Sequence, residues 1–442
     1  MVKQERDKGH VFFGGLVVAG VVAGVFFSSV VLPQAVSLSY GEEVLVGTVA
    51  STTDDQGEVQ PSVPQVAHIP DREPLWGIYM SQCVVGTPSF RDSLVKFIDS
   101  SKLNAVAIDI KDYTGKISFS TDNPLLADSV SDACGANDMK DFIELLHKKD
   151  IYVIGRITVF QDPFYTKAHP EQSVQSKSRP GQPWKDFKGL SFVSVSSEPF
   201  WEYIVELSKE SYAIGFDELN YDYIRWPSDG PMADVLYPSG NRAEAVEKFW
   251  KYLHEHVKPT GAVMSADLFG MTTTNVDDLN IGQQLERALP YFDYILPMVY
   301  PSHYPKGFLG LGNPNSDPYK VIIHSMSEAA KRAIATSTKV DTLLGEPILA
   351  QVEVPPSGDV GTTTKEVATG YFTKEVYSKL KLRPWLQDFD YGKEYLPSDI
   401  AAQIKGTEDA GLTSWIFWDP ANRYDSLRIH LKEPIPSNSA PQ

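Results

Sequence analysis

Residues 215–223 read GFDELNYDY, a short run that begins apolar and ends in charged and aromatic side chains. Runs of about four to eight residues with this character, bounded by turn signals, are typical of buried strands. Seven other runs share the pattern, and most neighbouring runs are separated by a segment with apolar residues at helical spacing. The eight runs lie at residues 76–81, 105–111, 152–158, 215–223, 263–269, 294–300, 385–390 and 414–419.

The alternation of strands and helices predicts βα units and a parallel sheet, which places the chain in the α/β class. Eight units predict a (β/α)8 TIM barrel over residues 75–430, lengthened by segments 160–199 and 340–380. The alternative is an open, doubly wound sheet. That fold normally carries a glycine-rich phosphate turn after its first strand, and residues 76–88, WGIYMSQCVVGTP, contain none.

The net charge and the aromatic content indicate which kinds of molecule the protein is expected to bind. The chain has 442 residues, and 57 acidic against 40 basic residues give a formal net charge of -17. This balance argues against nucleic acid as the main partner, because such proteins usually present a basic face. The 21 tyrosines and 8 tryptophans suit a protein that grips sugars or peptides, and they suit a large core equally well.

The N-terminal region predicts a membrane anchor. Residues 11–32 contain no charge and are long enough to span a bilayer, and Lys3, Arg6 and Lys8 precede them. The positive-inside rule then puts residues 1–10 in the cytoplasm and the rest of the chain outside it, at the cell membrane. A cleaved signal peptide is the rival, but its apolar core is usually shorter. We expect a flexible linker over residues 33–74 and a disordered tail over 431–442.

The two cysteines, Cys83 and Cys134, leave their pairing open. A disulfide would form in an oxidising compartment, whereas two buried free thiols are the simpler interpretation and the one we favour from sequence. No CxxC pair is present, so a thiolate zinc site is not expected. We predict neither a metal nor a cofactor.

Polar residues concentrate where the predicted strands end. In a TIM barrel the active site is built at the C-terminal ends of the strands, so these side chains are the candidates for function. A structural salt-bridge layer, with Arg156 and Arg225 neutralising aspartates, would explain any single residue but not a whole ring of them. The residues concerned are Asp109, Lys111, Arg156, Asp217, Glu218, Asn220, Asp222, Asp267, Tyr300, Asp388 and Trp418.

Two carboxylates on neighbouring strands are the predicted catalytic pair. Alternation along a strand puts Asn220 and Asp222 on one face and Asp217 on the other. Asp222 and Asp267 then end adjacent strands. Most glycoside hydrolases use such a pair of carboxyl groups for catalysis. One carboxyl protonates the leaving oxygen, and the other attacks the anomeric carbon or activates water. We predict Asp222 as nucleophile or base and Asp267 as acid.

The surrounding residues receive supporting roles. Arg156 would keep one carboxylate ionised, while apolar surroundings would raise the pKa of the other. Rings of Tyr300, Trp385 and Trp418 could stack on sugar faces, although packing at the barrel rim would account for each ring equally well. The predicted substrate-binding set is Asp109, Lys111, Arg156, Asp217, Glu218, Asn220, Tyr300, His303, Asp388 and Trp418.

Seven segments together resemble the glycoside hydrolase family DUF4015, which occurs in bacterial envelope proteins. The resemblance covers residues 75–430 and implies a TIM barrel with glycosidase activity on an extracellular or cell-envelope polysaccharide. The segments, in chain order, are LNAVAIDIKDYTGKISF, RITVFQDP, GFDELNYDYIRWP, SADLFG, ILPMVYPSHYPKG, RPWLQDFDYG and WIFWDPANRY.

A more distant resemblance is to α-amylase-type barrels, in which Gly-Phe-Asp on strand four is followed five residues later by the nucleophile. Residues 215–217 and Asp222 match that spacing. The chain departs from it at Asn220, where those enzymes carry arginine, and at Asp267, where they carry glutamate. A retaining mechanism and α-glucan specificity therefore do not follow.

Two functions from different classes account for these features. The first is a hydrolase acting on a polysaccharide or glycoconjugate, which requires two carboxyls converging on an open cleft. The alternative is a non-catalytic, glycan-binding barrel that serves as an envelope scaffold and requires only aromatic and amide side chains. A lyase or isomerase would call for a metal cluster or a phosphate site, and the sequence offers neither.

Overall fold

A computed structural model describes residues 66–354 and 363–432. Within these ranges eight parallel strands close into a barrel, which confirms the predicted (β/α)8 fold. Each of the eight predicted runs contains one barrel strand. The strands are β1 (Trp76–Met80), β2 (Ala105–Lys111), β3 (Tyr152–Thr158), β4 (Glu218–Asp222), β5 (Val263–Phe269), β6 (Tyr294–Met298), β7 (Trp385–Gln387) and β8 (Trp415–Trp418).

The strands follow one another around the barrel in chain order, and β8 closes onto β1 with Trp76 opposite Trp415. The register across the centre decides where the polar side chains lie. Arg156 on β3 stands opposite Asn220 on β4, which in turn stands opposite Ser265 on β5. Alternation along each strand therefore brings these three side chains to the same interior layer.

Helices surround the barrel, and the segments with apolar residues at helical spacing between the predicted strands form helices. In α3, for example, Met139, Phe142, Ile143 and Leu146 are buried at helical spacing against the strands. Short helices α1, α4, α7 and α10 lacked a periodic signal. The helices are α1 (Gln82–Val85), α2 (Pro88–Asp99), α3 (Met139–Lys148), α4 (Pro163–Ala168), α5 (Glu198–Ala213), α6 (Arg242–Val257), α7 (Leu285–Ala288), α8 (Pro318–Ile334), α9 (Pro397–Asp409) and α10 (Asp425–His430).

Two apolar clusters form the core, one inside the barrel and one between the barrel and its helices. Strand β2 shows the division, because Ala105 and Ala107 belong to the inner cluster while Val106, Ile108 and Ile110 belong to the outer one. The small inner alanines leave room for large rings from other strands. This alternation also turns Asp109 toward the interior.

A buried arginine closes the N-terminal end of the barrel. Arg383 is fully buried and forms ion pairs with Glu218 and Asp71, each at 2.9 Å. Its guanidinium also lies 3.1 Å from the ring centroid of Tyr294. Burial raises the pKa of Glu218, although the charge of Arg383 opposes the shift. This ion pair joins the beginning of β4 to the segment before β7.

Residues 66–74, which the sequence assigns to the linker, contact this same end of the barrel. The Ile69 N–H donates to Asp217 at 2.7 Å, and Asp71 pairs with Arg383. Glu73 accepts a hydrogen bond from Ser414 at 2.9 Å, just before β8. Contacts with the barrel therefore begin ahead of the first strand.

The two long segments carry small sheets of their own. In the first, Gln175–Ser176 pairs with Val235–Leu236 from the loop after β4. In the second, Pro347–Val354 and Thr363–Thr373 form an antiparallel hairpin, extended by Ser337–Thr338. The first of these segments reaches the cavity described below.

Cys83 and Cys134 form a disulfide, so the expectation of two buried free thiols is wrong. Cys83 is exposed in α1 and Cys134 is half-buried in the loop after β2. The bond closes a loop across a sequence separation of 51 residues. In the chain-entropy account a loop of this length stabilises the fold by about 4 kcal/mol.

The predicted transmembrane segment, residues 11–32, lies outside the described residues, as do residues 1–10, the linker up to residue 65 and the tail from residue 433. Within ranges 66–354 and 363–432, no helix has both the length and the apolar character that a membrane crossing requires.

Replacing Arg383 by methionine should destabilise the barrel. The change leaves Glu218 buried without its cation, and breaking a buried pair costs roughly 3–5 kcal/mol. Chemical denaturation would measure this loss in the free energy of unfolding. The matched control is Lys405→Met, which removes an exposed pair with Asp409 and should leave the unfolding midpoint almost unchanged. Equal, small effects of both changes would contradict the proposed role of Arg383.

Candidate active site

A cavity of about 510 Å³ opens at the C-terminal ends of the barrel strands. This size suits a small part of a glycan, since ligand pockets usually measure about 300–1,000 Å³. Its lining combines charged groups at the base with aromatic rings at the walls. The lining residues are Arg156, Lys188, Asp222, Tyr223, Arg225, Asp229, Asp267, Phe269, Gly270, Met271, Met298, Tyr300, His303, Tyr304 and Trp418.

Arg156 is the charged centre of the cavity base. Its Nη1 donates to Asp109 at 2.6 Å, its Nη2 contacts Asp222, and its Nε lies 3.7 Å from Asp267. The guanidinium also lies 4.9 Å from the ring centroid of Trp418. One buried cation therefore faces three buried carboxyl groups, an arrangement in which keeping all three ionised is costly.

The barrel register explains how this group assembles. Asp222 is two residues beyond Asn220 on β4, and Asp267 is two residues beyond Ser265 on β5, so both side chains share the interior face. Arg156 stands opposite Asn220 on the adjacent strand.

Asp267 is held in a site that favours its protonated form. It is almost fully buried, and its Oδ1 accepts hydrogen bonds from Asn220 at 2.9 Å and from the Trp385 indole at 2.7 Å. Burial and the neighbouring Asp222 raise the pKa of Asp267 well above its usual value, although Arg156 opposes the shift. Because Oδ1 is occupied by two donors, Oδ2 is the atom that would carry the proton.

Asp222, unlike Asp267, is in direct contact with a cation and with a backbone donor. It contacts Arg156 directly, and its Oδ1 accepts the Tyr223 N–H at 2.6 Å. Tyr223 adopts a left-handed backbone conformation with φ of 52°, which is uncommon for an aromatic residue. Strained backbone of this kind often accompanies functional sites. Here the unusual turn gives Asp222 a backbone donor immediately at the end of β4.

Asp109 and Tyr79 support Arg156 from behind. Burial raises the pKa of Asp109 to about 6, although Arg156 opposes the shift. The Tyr79 hydroxyl donates to Asp109, and the Tyr79 ring stacks on Trp418 with centroids 3.8 Å apart. Asp109 therefore orients the arginine and is not among the residues that line the cavity.

Aromatic residues form one wall of the cavity. Tyr300 and His303 meet edge to face with ring centroids 5.5 Å apart, and both line the cavity together with Trp418. Burial lowers the pKa of His303, so its ring is neutral and can exchange hydrogen bonds with hydroxyl groups. This wall offers the flat, partly polar surface on which sugar rings stack.

Six of the ten predicted substrate-binding residues do not line the cavity, which corrects their predicted role: Asp109, Lys111, Asp217, Glu218, Asn220 and Asp388. Lys111 is fully buried, donates to the Thr158 carbonyl at 2.7 Å and pairs with Asp162 at 2.9 Å. Asp217 faces away from the barrel interior, where it accepts the Val153 N–H at 2.8 Å. Glu218 lies at the opposite end of the barrel, paired with Arg383.

Asp388 and Trp385 also have structural roles in place of the predicted ones. Asp388 accepts the Leu427 N–H at 3.1 Å in α10. Burial, together with Asp419, raises the pKa of Asp388 to about 8. Trp385 is buried inside the barrel and donates to Asp267, so it is not available for stacking on a sugar.

Sequence reasoning missed several residues that line the cavity, among them Lys188, Asp229 and Phe269. Lys188 belongs to the long segment 160–199, whose lack of periodicity gave no indication that it reaches over the barrel mouth. Asp229 follows Arg225 in the loop after β4. Asp229 lies four residues beyond Arg225, which the sequence had singled out, so extending the search along the loop after the strand would have added Asp229.

Comparison with protein families gives a match over residues 77–344 and 351–424, to the family DUF4015, which is described as "Putative glycosyl hydrolase domain". The chain belongs to this family. Membership identifies the barrel as a glycosyl hydrolase domain and confirms the resemblance seen in the sequence. Comparison with curated protein sequences gives no significant match.

Solved structures similar to this DUF4015 barrel include the glycoside hydrolase domain of PgaB (BpsB) from Bordetella bronchiseptica. The two chains are 14% identical, the match covers 81% of this chain and 98% of that one, and the TM-score is 0.53. This likeness concerns the fold. A hypothetical protein from Ruminiclostridium thermocellum is 27% identical over 43% of this chain and 96% of its own, with a TM-score of 0.39.

Replacing Asp388 by asparagine should change how stability depends on pH. The folded-state pKa of Asp388, about 8, lies above its unfolded value, so the folded protein holds this proton more tightly. The stability that the protonated group contributes is complete below about pH 4 and is lost as pH rises through 8. An asparagine side chain does not titrate, so the variant keeps that stability.

Denaturation at pH 4, 6, 8 and 9 measures this difference. The advantage of Asp388→Asn over the unsubstituted protein should grow by up to about 1.4 kcal/mol per pH unit up to pH 8 and then level off. The control is Ser196→Ala, an exposed substitution that removes no titrating group, and it should give no such trend. An advantage that stays constant from pH 4 to pH 9 would contradict the raised pKa.

Proposed function

We propose that the barrel hydrolyses O-glycosidic bonds in a polysaccharide or glycoconjugate, with Asp267 as general acid and Asp222 as nucleophile or general base. One observation carries this proposal. Two carboxyl groups on neighbouring strands share the guanidinium of Arg156 at the base of an open cavity, and the pKa of Asp267 is raised well above its usual value. Glycosidases divide acid and base roles between two carboxyls in this way.

The chemistry follows from the two proposed roles. Asp267 donates its proton to the glycosidic oxygen as the bond to the anomeric carbon breaks. In one route Asp222 attacks that carbon, and a water deprotonated by Asp267 then hydrolyses the glycosyl-enzyme bond; in the other, Asp222 accepts a proton from a water that attacks the carbon directly. As Asp267 gains negative charge, Arg156 and the donors Asn220 and Trp385 stabilise it. The choice between attack and water activation sets the stereochemical outcome and stays open.

The alternative, a glycan-binding barrel without catalysis, has one feature in its favour. Asp222 is engaged by Arg156, and both carboxylates are nearly fully buried, as they would be in a structural ion-pair layer. Two features favour the enzyme. Both carboxyls line the cavity, and Asp267 lies 3.7 Å from Arg156, beyond the hydrogen-bonded ion pair that a structural role would provide.

Asp222→Asn and Asp267→Asn should each lower the turnover rate by at least about two orders of magnitude while preserving shape. General acid–base catalysis contributes about 10²–10⁴-fold, and loss of a nucleophile costs at least as much. Activity on a panel of cell-envelope and extracellular polysaccharides, read by mass detection of released fragments, gives the measurement. In the unsubstituted protein the rate should fall as pH rises through the raised pKa of Asp267.

Asp217→Asn is the matched control, because Asp217 is buried outside the cavity and accepts two backbone N–H groups. It should lower stability and leave the turnover rate of the folded fraction nearly unchanged. If the two cavity variants lose stability but keep their rate, the pair is a structural layer and the barrel is a binding protein.

We further propose that the barrel lies outside the cytoplasm, anchored by residues 11–32 with residues 1–10 on the cytoplasmic side. The uncharged length of that segment and the basic residues before it support the anchor. The disulfide between Cys83 and Cys134 supports the location, because such bonds persist in oxidising compartments and are rare in the cytosol. An envelope or extracellular polysaccharide is then the accessible substrate.

Cell fractionation tests the anchor. The full chain should remain with the membrane after a high-salt wash, because an apolar helix is held by the bilayer rather than by charge. A chain that lacks residues 1–36 should appear in the soluble fraction. Recovery of the full chain in the soluble fraction, at its full length, would overturn the anchor.

A further inference from the structure

A second cavity of about 360 Å³ adjoins the first. Four residues, Lys188, Tyr223, Arg225 and Asp229, line both cavities, so the two form one cleft that extends away from the catalytic pair. The other residues that line the second cavity are Tyr113, Gln161, Asp186, Phe187, Leu190, Phe192 and Ser228.

Arg225 stands where the two cavities meet, as a buried and largely unsatisfied cation. Only 4% of its surface is exposed, and its Nη1 donates to the Trp226 carbonyl at 2.9 Å. Its buried Nε has no hydrogen-bond acceptor, and within residues 66–354 and 363–432 no carboxylate lies within 4.0 Å of its guanidinium. The guanidinium lies between the rings of Tyr223 and Phe269, 4.7 and 4.5 Å from their centroids.

A buried guanidinium without a counter-ion is costly, because arginine stays charged and loses its hydration. Burial lowers the pKa of Arg225, while Asp222 and Asp229 act on it only from a distance. The buried arginines Arg156 and Arg383, by contrast, each contact at least one carboxylate. The guanidinium of Arg225 can therefore donate hydrogen bonds to an anionic partner, which the described part of the chain does not supply.

The acidic residues of the second cavity do not fill this role. Asp186 accepts the N–H groups of Lys188 and Leu190, each at 2.8 Å, and so stabilises its own loop. Asp229 accepts the hydroxyl of Ser228. Lys188 is exposed and adds a second positive charge to the cleft.

Two exposed rings complete the second cavity. Phe187 is 82% exposed and Tyr113 is 55% exposed, although large aromatic side chains normally bury most of their surface. Exposed rings beside a polar cleft suit stacking against the faces of sugars. The cavity thus pairs sugar-stacking surfaces with a guanidinium fork that matches planar or tetrahedral oxyanions.

We propose that the second cavity is a subsite for a sugar that carries an oxyanion, either the carboxylate of a uronic acid or a phosphate substituent, bound by Arg225 with help from Lys188. The proposal deepens the proposed function and rests on it, because it makes the substrate an acidic glycan. Arg225 selects the sugar, and Asp222 and Asp267 act on the neighbouring glycosidic bond.

The test measures binding apart from turnover, with the full chain in detergent solution. Calorimetry would compare tetramers of galacturonate, glucuronate and mannuronate with their carboxyl-reduced, neutral forms, and a phosphate-substituted oligosaccharide with its phosphatase-treated form. At least one acidic member should bind about 10–100-fold more tightly than its neutral form. That preference should weaken at high salt. The member that shows it distinguishes carboxylate from phosphate.

Arg225→Gln should reduce this acidic-to-neutral ratio by at least about tenfold, and Lys188→Gln, at an exposed position, should reduce it by less. Arg242→Gln is the matched control, since Arg242 also lies over a tyrosine ring but outside the cleft, and it should keep the ratio. Equal affinity for every acidic and neutral pair, or an unchanged ratio in Arg225→Gln, would overturn the subsite.

Cleavage of the same probes separates the two proposals. Hydrolysis of acidic and neutral members at equal rates would overturn the subsite and leave the hydrolase intact. Selective binding of an acidic member that no condition leads the protein to cleave would support the subsite and count against the hydrolase.

Discussion

The single cation of Arg156, surrounded by three buried carboxyl groups, is the constraint on which the rest of the site depends. A guanidinium carries one positive charge, so three buried carboxyl groups around it cannot all ionise without a large cost in free energy. Asp109 and Asp222 contact the guanidinium directly, whereas Asp267 lies 3.7 Å from its Nε and accepts from two neutral donors instead. The division of labour between Asp222 and Asp267 is therefore set by how one arginine is shared.

The fold serves this arrangement at both ends of the barrel. At the N-terminal end of the barrel, the ion pair of Arg383 with Glu218 joins the start of β4 to the segment that precedes β7. Residues 66–74 pack against the same end. At the mouth, the same strand ends in Asp222. The N-terminal end of the barrel therefore contributes stability, whereas the loops at the C-terminal ends of the strands form the binding site. This is the usual division in TIM barrels. Arg225 belongs to these loops, and so does the long segment that carries Lys188.

The barrel could be predicted from the sequence because its eight apolar runs and the helices between them are patterns among residues that are close together in the chain. These patterns can be recognised without knowing which elements pack against each other. It also identified Asp222, Asp267 and Arg156 as neighbours, since alternation fixes the face on which each side chain lies and all three stand on consecutive predicted strands. It failed where the partner lies far along the chain. No pattern in the sequence around Glu218 predicts its ion pair with Arg383, and none around Asp388 predicts its hydrogen bond to α10. Both carboxylates were therefore assigned to the cavity. The pairing of Cys83 with Cys134 was missed for the same reason.

The central claim is that burial and the neighbouring Asp222 raise the pKa of Asp267, so that this carboxyl keeps its proton well above the usual range of an aspartic acid, and infrared spectroscopy tests it most directly. The carbonyl-stretch band of a protonated carboxyl group is separate from the bands of carboxylates. Difference spectra between the unsubstituted protein and Asp267→Asn, recorded from pH 4 upward, should show the loss of one protonated-carboxyl band that persists to higher pH than an ordinary aspartic acid allows. The corresponding spectra for Asp217→Asn should keep that band, because hydrogen bonds hold the pKa of Asp217 below its usual value against the effect of burial. Absence of any lost protonated-carboxyl band in Asp267→Asn would contradict the account.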